Sequence, residues 1–534
     1  MATGVEGAGQ PDHDVVIIGV GHNGLIAAAY LARAGLDVTV LEAQSRFGGA
    51  VASAQLFDGV AIKLSRFSYL VSLLPRQIID DLGLELELRS RRVASYTPTE
   101  DGGLLVERRH GEATRASFAA GPGMASYEAF TTLEDDLHQF ATVVAPTLTE
   151  PLPWAGELRA GVGDELWDAL VERPIGELIE ERIADDTVRG IVLTDALIGT
   201  FASAHSPALQ QNRCFLYHVV GNGTGEWKVP VGGMGTVAVA LETAAREAGA
   251  TLRASARVVG LAPGDEGTQV RLADGEVLTA RTVLANCAPW TLAGLLGEPD
   301  SKSSEAKPAG AKPAGAQVKI NIVLRRLPAF RSGIDPATGF AGTLHLNQGY
   351  AQLERAYADA AAGRVPDPLP CESYCHSLTD PSIVAPELQE AGFHTLTIFG
   401  LHTPASLFDQ DHDAVRARAL DAALASVQSA LAEPLEDCIA RDANGELCIE
   451  VMSPQDVERE TLLPGGQIFQ GDLGWPWLAE GEAAGTAAER WGVATAHPSI
   501  LLCGSGARRG GAVSGLGGHN AAMAVLEERG LRAS

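Results

Sequence analysis

Three glycines and one glutamate carry the most specific chemistry in this chain. Gly19, Gly21 and Gly24 stand in the spacing G-x-G-x-x-G, and Glu42 comes eighteen residues after the last of them. A turn of this kind brings peptide N–H groups against a phosphate. Gly19 permits the tight turn, Gly21 lets the backbone approach a pyrophosphate, and Gly24 lets helix and strand pack closely. Glu42 would accept hydrogen bonds from ribose hydroxyls. Such a site holds an anionic dinucleotide without lysine or arginine, because a helix N-terminus supplies unpaired N–H groups and the positive end of a dipole.

The flanking pattern supplies the elements that position these residues. Val15 to Ile18 is a short buried-strand run, Asn23 to Ala34 an apolar-periodic helix and Asp37 to Leu41 a second strand. Together they form the first βαβ unit of a doubly wound sheet. Between about 120 and 215 the pattern turns helical, and acidic runs such as Glu134-Asp135-Asp136 read as solvated faces. From Val229 the α/β character returns, with a turn at Pro230 to Gly235, a helix to about Gly249 and strands near 251 to 260, 268 to 273 and 281 to 286. Strand-like stretches at 317 to 324, 341 to 346 and 394 to 401, with a helix at about 412 to 432, suggest a second sheet. Leu501-Leu502 and a Gly-rich turn then lead into a helix from Gly518. The expected organisation is a discontinuous nucleotide domain of residues 12–80, 215–300 and 490–534, with an inserted α+β substrate domain of 81–214 and 317–489 that is helical over about 120–214. Residues 301–316 hold a tandem Lys-Pro-Ala-Gly-Ala and read as a flexible low-complexity loop.

Composition narrows the function classes. The charge sum of 40 minus 67, or −27, argues against nucleic acid, which is bound by cation clusters. Hydrophobic content of 46% with 20% charged residues suits a globular chain. Seven scattered cysteines form no CxxC pair, so neither a disulfide scaffold, a zinc ribbon nor a redox dithiol is expected. Thirteen histidines show no HExxH spacing, and no metal site is expected. No G-x-S-x-G elbow or phosphate-binding G-x-x-x-x-G-K-[ST] loop occurs. With neither a signal-peptide core nor a membrane-length apolar run, the expectation is a cytoplasmic bacterial protein, with peripheral membrane contact and oligomeric state left open.

The residues immediately after Glu42 decide which dinucleotide is held. The run Glu42-Ala-Gln-Ser-Arg46-Phe-Gly48-Gly49 adds a second glycine pair that a simple nicotinamide dehydrogenase does not need. Gly19 through Gly49 resembles the FAD-binding signature of the flavin amine oxidase and phytoene desaturase superfamily. Pro230-Val-Gly-Gly233-Met234-Gly235, with the strand carrying Arg257-Val258-Val259, resembles its second FAD segment, which implies that the Val258 backbone meets the adenine. Cys503-Gly504-Ser505-Gly506 and Ser514-Gly515-Leu516-Gly517-Gly518-His519-Asn520 resemble its C-terminal segment, which implies cofactor contacts from Gly504, Ser505, Gly515 and Gly518. Leu64-Ser-Arg-Phe-Ser-Tyr, Val318-Lys-Ile-Asn-Ile and Gly466-Gln-Ile-Phe-Gln-Gly-Asp472 are similar to the group of pyridine nucleotide-disulfide oxidoreductase domain-containing protein 2. Ala50 stands where many relatives carry arginine.

The resemblance implies an α/β fold with a Rossmann-type FAD domain and an FAD-dependent oxidoreductase. The expected reaction is hydride transfer from an apolar organic substrate to the flavin, as in a phytoene desaturase-like dehydrogenase. Flavin amine oxidation, redox-neutral isomerisation and an FAD-loaded regulatory protein without turnover are the alternatives. One fingerprint and no dithiol imply reoxidation by oxygen or a quinone. Lys228, beside Trp227 and ahead of the second turn, is a candidate to fix a water or polarise the ring, against a snorkelling surface lysine. His519 is a candidate to touch flavin or substrate, Arg508 and Arg509 to grip a substrate carboxylate, and Ser65 and Arg66 to line a substrate cavity with Trp227.

Overall fold

The structure is a computed structural model, and it describes residues 11–532 other than 72, 101, 222, 266 and 298–311. Val15, Val16 and Ile17 are all fully buried in succession. A strand buried on both faces belongs inside a parallel sheet covered on two sides. The strand His13–Ile18 pairs in parallel with Val38–Leu41 on one edge and Val277–Ala285 on the other. The full seven-stranded order is Val258–Gly264, Gly267–Leu272, Val277–Ala285, His13–Ile18, Val38–Leu41, Thr251–Arg253, with Ile500–Leu502 flanking the end of Val277–Ala285. Helices His22–Arg33, Met234–Glu247 and Leu516–Glu528 share one core with this sheet, through Leu25, Ile26, Met234, Leu241 and Val525.

A second seven-stranded sheet runs Ile449–Met452, Val318–Leu324, His394–Gly400, Cys371–Tyr374, Thr343–Leu346, Val93–Thr99, Gly102–Glu107. Only the pairing of Thr343–Leu346 with Val93–Thr99 is parallel. Helix His412–Ser429, capped by Asp411 through the Ala414 N–H, contributes Ala419, Ala423 and Val427 to the core of this sheet, which also takes Ile320, Ile322, Leu344 and Ile398. Period-two alternation sends Lys319 and Asn321 to the other face. Directly paired residues share a face, so Lys319, Phe399, Glu372 and His345 form one row across four strands. A third core, built on Phe140, Trp167, Leu170, Ile179 and Phe215, packs the helices between Met124–Val144 and Gln210–Val220.

One expectation is corrected. Residues 298–311 lie outside the described residues, but 312–316 are not a flexible loop. Lys312 pairs with Glu458, the Gly315 N–H donates to Gly465 O (2.8 Å), and Gly315 O and Ala316 O accept from Ala405 and Thr403 N–H. Gly315 and Ala316 are buried, because this segment is the approach to the fully buried strand Val318–Leu324. Among the described residues no helix is long and apolar enough to cross a membrane.

Candidate active site

A cavity holding about 1950 Å³ of space, its open mouth included, runs between the two sheets. Gly19, Gly21, His22, Glu42, Arg257 and Val258 line one part of it, and Tyr69, Tyr217, His218, Trp227, Lys319 and Phe399 another.

The nucleotide end is built around peptide groups. Gly19 adopts φ +101° and its N–H donates to Leu41 O (2.7 Å), which ties the turn to the neighbouring strand. A Cβ on Gly24 would fall 2.4 Å from Gly19 O, so only glycine lets the helix begin so close to the turn. The Asn286 side chain donates to the same Gly19 carbonyl (2.9 Å). Glu42 is held by the Val20 and Gln44 N–H groups, at 2.9 Å each, one to each carboxylate oxygen. Each oxygen keeps lone pairs for a further donor.

The residues present fit FAD. Helix His22–Arg33 begins at Gly21 and helix Leu516–Glu528 at Gly515, and neither has a side-chain cap. The two N-termini meet. A Cβ on Gly518 would lie 2.0 Å from Asn23 O, and the Gly518 N–H faces Asn23 Oδ1 at 3.4 Å. Two uncapped helix starts thus direct positive dipole ends at one place, where a pyrophosphate is the natural counter-charge. His22 Nε2 is buried there without a partner, and burial holds the His22 pKa down to about 4, so its imidazole is neutral.

The other end is aromatic and contains one lysine. Lys319 is 3% exposed, and its Nζ donates to Ser65 O (2.8 Å) and Phe67 O (2.7 Å). The amine lies 5.4 Å from the centres of both the Tyr69 and Phe399 rings. Burial pushes its pKa down to about 7, against the pull of Glu450. His218 donates from Nδ1 to Asp195 O (2.7 Å) and Cys214 O (2.9 Å), which leaves Nε2 as the lone-pair nitrogen. Its ring stacks on Trp227 at 5.0 Å, and burial holds its pKa down to about 4.

The predicted residues divide by position. Gly19, Gly21, Glu42, Gly49, Val258, Ser505 and Trp227 line the cavity. Gly24, Gly48, Gly504, Gly515 and Gly518 are not in the lining; they are packing positions, Gly24 and Gly518 against backbone and Gly48, Gly504 and Gly515 first against side chains. Arg46 is exposed and over the Phe67 ring. Lys228 does not line the cavity; its backbone pairs with Val71 while its half-exposed amine lies 3.8 Å from Glu226. His519 is buried against Tyr30 and Trp491 with Nδ1 on Asn520 Oδ1 (2.9 Å), so it is a packing residue outside the wall. Arg66 is committed to Glu450 (2.6 Å) and Glu460 (2.8 Å), and Ser65 caps the helix at Met234 N–H (3.1 Å); neither lines the cavity. Arg508 pairs with Glu482, and Arg509 is buried beyond the wall. Lys319, His218, Asn286 and Gln470 are cavity residues that sequence reasoning passed over. The alternation Val318-Lys-Ile-Asn-Ile carried the signal for Lys319: two polar residues on one face of an otherwise apolar strand.

Fold and cavity together define an FAD-dependent oxidoreductase. The chain belongs to the flavin containing amine oxidoreductase family, whose model matches residues 24–328. An uncharacterized protein of Mycobacterium tuberculosis is 49% identical, over 96% of this chain and 97% of that protein. Pyridine nucleotide-disulfide oxidoreductase domain-containing protein 2 of Mus musculus is 29% identical over 98% of this chain and 95% of its own. Among solved structures, cyclohexylamine oxidase from Brevibacterium oxydans has TM-score 0.58 at 17% identity, covering 97% of this chain and 100% of that one. Putrescine oxidase bound to putrescine has TM-score 0.58 at 18% identity, over 97% and 98% of the chains. At these identities the structural likeness is one of fold.

Proposed function

We propose that this enzyme removes a hydride from a carbon atom of a small, mainly apolar substrate, dehydrogenating or desaturating it. The observation that carries this reading is the substrate end of the cavity. Tyr69, Tyr217, Trp227 and Phe399 stand there with Ile198, Leu70 and Ile468, and the one acid in the lining among the described residues, Glu42, belongs to the nucleotide end. Bound FAD supplies the two-electron acceptor for the hydride. Glu42 would hold the ribose hydroxyls and the paired helix starts the pyrophosphate, while the aromatic walls exclude water and orient the reacting C–H bond.

Lys319 would handle the accompanying proton. In its neutral form both N–H groups are taken by Ser65 O and Phe67 O, so the lone pair is left for a substrate proton or a water. A pKa of about 7 suits an amine that accepts and returns protons near neutrality. Loss of a hydride from one carbon and a proton to Lys319 from its neighbour balances a desaturation.

A second reading, amine oxidation, is favoured by the aromatic lining itself. With a lysine at the aromatic end and, among the described residues, the one lining carboxylate, Glu42, at the nucleotide end, an amine would enter neutral, and kcat/KM would rise with pH towards the amine's own pKa. An alkene-forming dehydrogenation would instead follow Lys319. We further propose that strands from residues 12–80, 215–300 and 490–534 form the FAD body and 81–214 with 317–489 the substrate body, that oxygen or a quinone takes the electrons, and that the setting is a bacterial cytoplasm, as the mycobacterial relatives support.

Anaerobic incubation of the flavoprotein with lipophilic hydrocarbons and amines tests the reading. Bleaching by an organic donor, reversed by air or a quinone, is the expected result. Stoichiometric reduction by NADPH with no organic donor able to bleach would overturn it, and product without net acceptor consumption would point to isomerisation.

A further inference from the structure

A second cavity lies behind the wall of the first. Leu73 and Tyr217 belong to both linings. Tyr217 is fixed between them: the Ala512 N–H donates to its hydroxyl (2.7 Å), and Phe469 and His218 meet its ring edge-on at 5.1 and 5.0 Å. The rest of this cavity, about 540 Å³ with its open mouth, is mostly apolar, with Phe140, Val144, Leu216, Trp475 and Trp477 prominent in its walls.

Two arginines that are not fully paired are set into those walls. Arg509 is 5% exposed; its Nη1 donates to Thr147 O (2.5 Å), while Nε and Nη2 are buried without a partner. Arg213 uses Nη1 on Ala208 O (3.1 Å) and holds its guanidinium over the Trp475 ring at 5.6 Å, with Nε buried and unpartnered. Among the described residues no acid lines the cavity. The carboxylates whose charge reaches these groups, Asp472 and Glu150, are on exposed residues. Arg508 differs, since Glu482 and Trp477 O satisfy it. A buried donor without an acceptor is costly, and burial already pulls the Arg509 pKa down to about 9. An acceptor that carries negative charge would remove that cost.

We propose that this second cavity binds a small amphipathic carboxylate. Nε and Nη2 form the edge of a guanidinium that takes both oxygens of a carboxylate in parallel; on Arg509 both are unpartnered but covered, so binding includes a turn of this side chain toward the cavity it lines. Arg213 adds a second positive charge, and the indoles of Trp475 and Trp477, stacked at 5.0 Å, receive the apolar body. The limited volume selects medium-chain or aryl acids over long lipids. Tyr217 stands between the two cavities, so an occupant of this one is expected to leave the flavin alone.

Calorimetric titration of the FAD-loaded enzyme with octanoate and with octan-1-ol, recording the flavin spectrum in parallel, tests this. Octanoate is expected to bind about ten- to hundredfold tighter than the alcohol, the margin of charge-assisted hydrogen bonds, and to leave the flavin bands unmoved. R509Q should erase the preference and R213Q reduce it, with flavin content reporting that each variant is folded. Equal affinity for acid and alcohol in the wild-type enzyme overturns the proposal whatever the variants do. A preference that survives in folded R509Q, or octanoate that shifts the flavin bands as it binds, overturns it as well.

Discussion

Replacing Lys319 by methionine tests the buried amine directly. In the unfolded chain this lysine titrates at about 10.4, whereas in the fold its pKa is held down to about 7 by burial. Between these values the unfolded state binds one proton more than the folded state, so wild-type stability rises with pH across that window. The slope is at most about 1.4 kcal/mol per pH unit. Below pH 7 the charge is buried in the fold and the contribution is at its least favourable. K319M lacks this term, although it leaves Ser65 O and Phe67 O without their donor at every pH. From pH 7 to pH 9 the stability difference between the two proteins should therefore move by about 2 to 3 kcal/mol in favour of the wild type. Urea unfolding followed by tryptophan emission at several pH values measures it. A difference that stays constant across that range would show that Lys319 remains charged in the fold and would refute the argument from burial.

Glu42→Ala should weaken FAD by about 1 to 3 kcal/mol, the loss of hydrogen bonds to a charged acceptor, read as flavin release on dilution. Gly518→Ala places a methyl group 2.0 Å from Asn23 O, so it should cost about 1 to 3 kcal/mol or more and lower flavin content, both visible in a melting curve recorded at the flavin band. Deleting residues 303–311 should leave FAD content and melting nearly unchanged, whereas extending the deletion through 315 should lower both, because it removes the Lys312–Glu458 pair and the Gly315 backbone bonds.

The parts of the molecule legible in the sequence are those whose chemistry is local. The turn from Gly19 to Gly24 announces itself because each glycine answers a backbone requirement within its own unit, and the strand and helix around it share that short span. For Lys319 the sequence shows only a polar residue alternating along an apolar strand; its buried state is not legible there, because it is set by carbonyls 254 and 252 residues earlier in the chain. Lys228 and Lys319 both lie in strand-like sequence, and only the register separates a half-exposed amine from a buried one. Arg66 illustrates the same limit: its partners Glu450 and Glu460 are 384 and 394 residues away, so sequence alone offered a cavity residue where the fold has an ion pair. The segment 312–316 misled for a different reason. Its repeat composition speaks for an open loop, but the strand it feeds is buried, and the chain has to be packed before it arrives.

The meeting of two helix starts at Asn23 and Gly518 joins residues 495 positions apart. A ribosome releases the first of these long before it has made the second. During that interval the growing chain has the first glycine turn and Glu42 but no second dipole and no backbone to close against Asn23. Flavin capture is therefore expected to wait for the helix Leu516–Glu528, and synthesis interrupted before that helix should yield a colourless product even where the first sheet has begun to form.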